Sequence, residues 1–229
     1  MLSQKKVTAL LPMKANSERV IGKNFKNFCG KPLYRWILDK LIRIDSIENI
    51  IINTDAYKIL EKNSFPNNKK IIINHRPKEL CGDFVSMNKI IEYDLKNSSA
   101  DYFLMTHTTN PLISESTISK SVETFFDNLC QNDSLFSANK IHSRFYNQNA
   151  NPINHDPNNL IRTQDLEPYF EENSCMYIFS KESFQKTKAR IGANPKMQIT
   201  PRIESIDIDD KDDWFIAESI QQSMIRRNQ

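Results

Sequence analysis

Five residues in a short stretch near the N-terminus have the types and spacing to hold a polyphosphate: Lys14, Ser17, Arg19, Lys23 and Asn24. Gly22 lies within the stretch and Gly30 follows it, so two of the four glycines in 229 residues fall here. Glycine lets the backbone turn tightly so that N–H groups point inward, while Lys and Arg add countercharge. An ordinary basic surface loop is the alternative that composition alone allows. Two common phosphate loops are excluded, because neither Gly-x-x-x-x-Gly-Lys-Ser/Thr nor Gly-x-Gly-x-x-Gly occurs. Near the other end, Ile206-Asp207-Ile208-Asp209 sets two carboxylates two residues apart. On a strand both would project to one face and reach one cation. Asp210, Asp212 and Asp213 are explained instead as the acidic first turn of a helix, where the helix dipole favours them.

Holding these groups together requires a scaffold, and the chain reads as alternating strands and helices of an α/β sheet. Strands are expected at 7–11, 49–53, 70–74, 102–106, 135–138, 175–179 and 204–208. Helices are expected at 32–43, 56–63, 84–96, 114–129 with Ser114 as cap, 181–188 and 210–226. In such sheets ligands bind beyond the carboxyl ends of the strands. The 14–24 loop, Thr54-Asp55, His75-Arg76 and residues 107–112 each follow an expected strand, so one site along one sheet edge is the natural expectation. Between 141 and 169 apolar periodicity vanishes and Pro152 and Pro157 break any helix. Composition alone would make this stretch a surface excursion.

Composition bounds the function from the other side. A net charge of +3 with both signs dispersed gives no block suited to nucleic acid, and the aromatics sit inside apolar runs rather than among basic residues. Cys29, Cys81, Cys130 and Cys175 are widely spaced with no Cys-x-x-Cys pair, which argues against a zinc site or disulfide framework and for a reduced, cytoplasmic protein. No apolar run approaches the ~20 residues of a membrane span, and the N-terminal run meets Pro12 and Lys14 too early for a secretory signal. The length fits one domain, alone or with a small appendage.

Six motifs in order carry a resemblance to a known family. They are Leu11-Pro12 with Ser17, Arg19, Gly22-Lys23-Asn24 and Gly30-Lys31-Pro32-Leu33; His75-Arg76-Pro77 with Glu79-Leu80 and Asp83; Thr109-Asn110-Pro111-Leu112; Arg162-Thr163-Gln164-Asp165-Leu166 with Pro168; Asn173 with Tyr177; and Ile206-Asp207-Ile208-Asp209. Together they resemble the CMP-sugar synthetases, that is, the acylneuraminate and 3-deoxy-octulosonate cytidylyltransferases. The resemblance implies a three-layer, Rossmann-like nucleotidyltransferase fold of the glycosyltransferase-A-like type. It implies one cytidylyltransferase domain over 1–229, with a dimerisation extension at about 141–169 and a homodimer. The implied reaction transfers CMP from CTP to a 2-keto-3-deoxy sugar acid, with magnesium or manganese on Asp207 and Asp209 and Lys23 as a catalytic cation. Lys14, Ser17, Arg19, Lys23, Asn24 and Arg76 are then the nucleotide-binding candidates. His107, Arg162, Gln164, Asn173 and Tyr177 are the sugar-binding ones, with Arg162 facing a sugar carboxylate across the dimer interface.

Departures from the family pattern fall mainly in the sugar half. Gln-Pro-Thr-Ser-Pro is replaced by His107-Thr108-Thr109-Asn110-Pro111, and Asn-Gly-Ala by Asn173-Ser174-Cys175. His107 is either a substitute hydrogen-bond partner for the glutamine or a satisfied interior histidine. Lys14 stands where the family has arginine, which keeps the charge and loses the bidentate fork. Two other functions share the pattern: a nucleotidyltransferase of the same fold with another sugar or alcohol acceptor, and a non-catalytic nucleotide-sugar binding protein. The Asp207/Asp209 pair argues against the second.

Overall fold

The computed structural model describes residues 5–62 and 65–227. The Val7–Leu10 strand (β1) lies in a mixed sheet with Ile47–Thr54 (β4), Ile71–His75 (β5), Tyr102–Thr106 (β6), Ser134–Ile141 (β7), Tyr169–Ser180 (β8) and Pro195–Ile199 (β9). The order across the sheet is β5-β4-β1-β6-β8-β7-β9. β5, β4, β1 and β6 run parallel, β8 runs antiparallel to both β6 and β7, and β9 runs parallel to β7. A two-stranded ribbon, Asn27–Phe28 (β2) with Lys31–Pro32 (β3), closes the N-terminal loop.

Period-two side-chain alternation divides the core between two faces. Val7, Ala9 and Leu11 point into a cluster with Tyr34, Ile37 and Leu41 of the Leu33–Arg43 helix (α1) and Ile118, Val122 and Phe125 of the Glu115–Asp127 helix (α4). Leu10 points to the other face, against Ile91 and Leu95 of the Met87–Lys96 helix (α3) and Phe184 of the Lys181–Thr187 helix (α5). The result is a three-layer α/β/α sandwich. A third cluster joins Val20, Phe28, Leu33 and Ile208 to Trp214 and Ala217 of the Lys211–Arg227 helix (α6), which fastens both candidate site segments to the body.

Most expected elements form, and the differences have physical causes. Ser114 caps α4 by accepting the Thr117 N–H at 3.1 Å. The helix expected at 84–96 starts only at Met87, because Gly82 takes φ +110° and the Ser86 side chain caps the helix by accepting from the Asn88 N–H. The helix expected at 56–63 spans Tyr57–Lys62 (α2), and Asn63 lies outside the described residues. The strand expected at 204–208 is absent. Residues Arg202–Ser205 form a 3₁₀ turn, Ile206 after it is extended, and 206–209 join no ladder. Pro201 fixes the start of that turn, and the segment crosses the sheet edge on the Ile208 N–H to Thr109 carbonyl bond at 2.9 Å. β9 was not expected; it begins at a proline and exposes Met197 and Ile199, as an outermost strand can.

The 141–169 stretch hangs from a two-stranded arm. β7 and β8 pair beyond the sheet body to Ile141 opposite Tyr169, and the intervening chain is an irregular tip with a Tyr146–Pro152 bridge. Among the described residues no helix is long and apolar enough to cross a membrane.

Candidate active site

The 14–24 loop is held as a closed ring. Asn24 Nδ2 donates to the Lys14 carbonyl at 2.7 Å, and its Oδ1 accepts from the Thr108 hydroxyl at 2.5 Å. Gly22 sits at φ +62°, opening the 3₁₀ turn Lys23–Phe25, and Val20 anchors the loop in the third cluster. The Ala15 N–H donates to Asp55 at 2.6 Å, tying the loop to the end of β4. Asn24 is thus a buried structural clamp whose oxygen and amide both have protein partners.

Opposite the loop lies the 206–209 segment. Ile208 is buried, which leaves Asp207 and Asp209 beside Lys23. Lys23 Nζ donates to the Ile208 carbonyl at 2.5 Å and lies 3.8 Å from Asp209. Arg19 pairs with Asp209 at 2.9 Å. Burial pulls the Lys23 ammonium below its usual range, and Asp209 and Asp207 pull it back up. Burial also pushes the Asp207 carboxyl above the ordinary carboxylate range, Thr109 acting in the opposite sense and Asp209 in the same. Asp207 Oδ1 is buried without a hydrogen-bond partner. Both aspartates therefore neighbour Lys23, on a crossing segment rather than the expected sheet strand.

Asp213 is no bystander of this pair. Its carboxylate accepts from the Asp209 and Asp210 N–H groups at 2.9 and 3.1 Å, while Asp210 accepts from the Asp213 N–H at 3.0 Å. This reciprocal capping box fixes both the start of α6 and the Asp209 backbone.

Between the loop and the end of β6 is a cavity of about 490 Å³ lined by Lys14, Ser17, Arg19, Lys23, His107 and Thr109, among others. Lys14 pairs across its rim with Asp83 at 2.9 Å, and Phe84 beside it is fully exposed. Burial first, then the positive charges of Arg190 and Lys23, holds His107 down to about 4, so its imidazole is neutral near pH 7. A larger cavity, about 650 Å³, lies at the opposite end of the strands beside Lys5, Glu48, Ser98 and Tyr102. It holds none of the residues singled out by the sequence, and it is at the amino-terminal edge of the parallel strands.

The remaining candidates are distributed unevenly. Arg76 is buried at the end of β5, where Nε donates to Asn53 Oδ1 at 2.7 Å and Nη2 to the Asn53 carbonyl at 2.8 Å. Asn53 in turn donates to the buried Asp94 at 2.8 Å. This Asp94–Asn53–Arg76 relay orients the guanidinium and went unread in the sequence, because its members are far apart in the chain. Tyr177 is fully buried, its hydroxyl bonded to Glu172 and to Ser174. Asn173 is buried in a network with Asn139, Thr200 and Ser205. Ser174, where the family pattern has glycine, takes φ +57°, the left-handed region that a glycine would enter at lower cost. Arg162 is exposed on the arm and pairs locally with Asp165 at 2.7 Å; Gln164 beside it is exposed too. Within one chain these two are not among the residues lining the cavity.

Comparison with known proteins finds relatives over nearly the whole chain. The chain is 22% identical over 219 residues to a pseudaminic acid cytidylyltransferase of Campylobacter jejuni, covering 91% of this chain and 93% of that one. It is 23% identical to an N-acylneuraminate cytidylyltransferase of Escherichia coli, covering 97% of this chain and 54% of the other. In fold it is similar to CMP:2-keto-3-deoxy-manno-octonic acid synthetase, solved with CTP, at a TM-score of 0.66 and 12% identity over 96% of this chain and 99% of that one. It is also similar to a 4-diphosphocytidyl-2C-methyl-D-erythritol synthase from Anaerococcus prevotii, at a TM-score of 0.65 and 15% identity over 96% and 97% of the two chains. The family model described as cytidylyltransferase matches residues 8–218, from β1 into α6 and so across every element that shapes the cavity. The chain belongs to the cytidylyltransferase family of nucleotidyltransferases.

Proposed function

We propose that the protein transfers CMP from CTP to a 2-keto-3-deoxy sugar acid, of the nonulosonate or octulosonate kind, releasing pyrophosphate. The observation that carries this reading is the juxtaposition of Lys23 with Asp207 and Asp209 at a cavity walled by the 14–24 loop. In the reaction the acceptor's anomeric hydroxyl oxygen bonds to the α-phosphorus, the bond from that phosphorus to the bridging oxygen breaks, and the hydroxyl proton passes to solvent. Such a transfer asks the protein for positioning and charge neutralisation rather than covalent chemistry. Lys23 and Arg19 bind the triphosphate oxygens, Arg19 leaving Asp209 to do so. Lys14 and Ser17 complete the phosphate contacts, with Lys14 released from Asp83. Arg76, oriented by its relay, faces the nucleoside end, and Asn24 keeps the loop in shape.

The residues present fit a divalent cation. Asp207 Oδ1 is buried and unpartnered, and a second carboxylate stands beside it. Among the described residues no group of three or more ligating side chains occurs. That suits magnesium, which keeps water ligands and takes oxygens from substrate phosphates. Asp207 and Asp209 would hold magnesium or manganese, which when bound supplies countercharge to the triphosphate.

The β7–β8 arm supports a homodimer. Leu160, Ile161, Tyr169 and Phe170 on it, with Ile199 and Ile203 nearby, are all at least 42% exposed. A grouped apolar surface of this kind is suited to a second copy of the chain, with twofold pairing the commonest symmetric arrangement. CTP as donor and the unpaired cysteines suit a cytoplasmic reaction.

The reading is tested by pyrophosphate release with CTP against a panel of 2-keto-3-deoxy sugar acids. Turnover is expected with at least one acid, to stop in excess chelator, and to be weaker with ATP. Undiminished turnover in chelator, or equal use of ATP and CTP, contradicts it.

A further inference from the structure

Along the ligand-binding edge the sheet sets its groups in a line. Arg76 ends β5, the phosphate loop follows β1, His107 follows β6, and the next strand is β8. With the nucleoside at the β5 end and the phosphates at β1, the acceptor has to approach from β6 and β8. The cations lining the cavity, Lys14, Arg19 and Lys23, all belong to the phosphate loop.

One further cation stands on the acceptor side. Arg190 lies with its guanidinium carbon 3.7 Å from the Tyr177 ring centroid. Its Nη2 donates to the Tyr177 hydroxyl at 2.8 Å and reaches Glu172 at only 3.4 Å. Its Nη1 lies 3.7 Å from Met105 Sδ. Met105 pairs with Tyr177 across β6 and β8, and His107 follows it by two residues, on the wall of the cavity. Arg190 is the group whose charge, after burial, most strongly keeps His107 neutral, as expected for neighbours.

The segment carrying Arg190 is fixed from several directions. Lys188 closes α5 in the left-handed region at φ +55°, and the Ala189 N–H donates to the Thr187 hydroxyl. The Gly192 N–H donates to Ser134 at 2.8 Å, and the Ala193 and Asn194 N–H groups donate to Asp133 at 2.8 and 3.1 Å. A Cβ at Gly192 would push the Asp133 and Ser183 side chains from their places, so glycine permits the close approach. This is the support a binding group requires to be held in place before its ligand arrives. The countercharge is weak by comparison, since the Glu172 carboxylate is shared with the Tyr177 hydroxyl and stands 3.4 Å away.

We propose that Arg190 is the acceptor's carboxylate receptor: stacked on Tyr177, it exchanges its long contact with Glu172 for paired N–H bonds to the carboxylate of the sugar acid. A planar guanidinium backed by an aromatic ring matches that anion in geometry as well as charge. The proposal rests on the sugar-acid reading and names its specificity determinant.

The test compares Arg190→Gln and Arg190→Lys with the wild type in steady-state kinetics, using a sugar acid and its carboxyl methyl ester. In Arg190→Gln the acceptor KM is expected to rise by roughly 30-fold or more, the size of a lost charged hydrogen bond, with the CTP KM within about twofold. The wild type prefers acid to ester; Arg190→Gln loses the preference and Arg190→Lys keeps part of it. A retained acid-over-ester preference in Arg190→Gln, or equal rises in both KM values, overturns the proposal and leaves Arg190 a packing residue. A wild type that releases no pyrophosphate with any sugar acid instead overturns the reading of function, and the proposal with it.

Discussion

Asp207→Asn is expected to abolish turnover while leaving the protein as stable as before, or more so. Asp207 Oδ1 is buried without a partner, and burial has already pushed its carboxyl upward, so the charge is held at a cost in the free protein. An amide of the same shape carries no such charge and gives a cation far poorer coordination. Loss of at least roughly 1,000-fold in kcat is expected, the scale of a removed electrostatic contact to the reacting groups. The melting temperature should hold steady or rise by about 2–4 °C, which corresponds to ~1 kcal/mol in a chain of this size. The pH dependence follows from the sign of the shift. The folded chain holds the Asp207 proton more tightly than the unfolded one, so stability falls as pH rises through the carboxylate range, and the Asn variant lacks that component. Asp213→Ala provides the contrast. It removes the acceptor for the Asp209 and Asp210 N–H groups, so it should cost about 1 kcal/mol of stability and reduce turnover only partly. Calorimetry with pyrophosphate assays on both variants checks the pair; a destabilised Asp207→Asn that retains turnover would contradict the assignment.

The second large effect is recovery rather than loss. Arg162 is exposed on the arm, pairs only with its neighbour Asp165 among the described residues, and does not line the cavity of its own chain. If the arm docks on a second copy and presents Arg162 there, Arg162→Ala and Asp209→Ala are each inactive alone. Mixed with subunit exchange, they should regain about a quarter of wild-type activity, because half the dimers then hold one whole site. A dimeric mass by light scattering is expected alongside. A monomeric mass, or no recovery despite proven exchange, would leave Arg162 as a surface residue of its own arm.

Much of this architecture was legible because local patterns agreed with tertiary need. The run at Val7–Leu10 and the Ile-rich β4 could only be buried strands, and Ser114 announced α4. The Asp207/Asp209 spacing was read from a strand that does not form. Ile208 is buried in the third cluster, so the segment keeps the alternation without any ladder. Asp213 lies in the acidic first turn of α6 as its place implied, and Asp210-x-x-Asp213 adds a capping box in acidic form that the dipole argument alone does not include. Arg190 and the Asp94–Asn53 pair gave no local signal at all; only the sheet order brings them to the site. The fold uses both ends of the Asn24 amide to close the loop, through partners that are distant in sequence and so gave no local signal.

The central claim is that CTP occupies the cavity beyond the carboxyl ends of β1 and β6, with its cation on Asp207 and Asp209. A crystal structure of the protein with a non-hydrolysable CTP analogue and magnesium tests it most directly. The triphosphate is expected against Lys23, Ser17 and Arg19, with Arg19 parted from Asp209 and density for the ion at Asp207. A nucleotide in the cavity beside Lys5, Glu48 and Tyr102, or a triphosphate away from Lys23 with no ion at Asp207, would contradict the account.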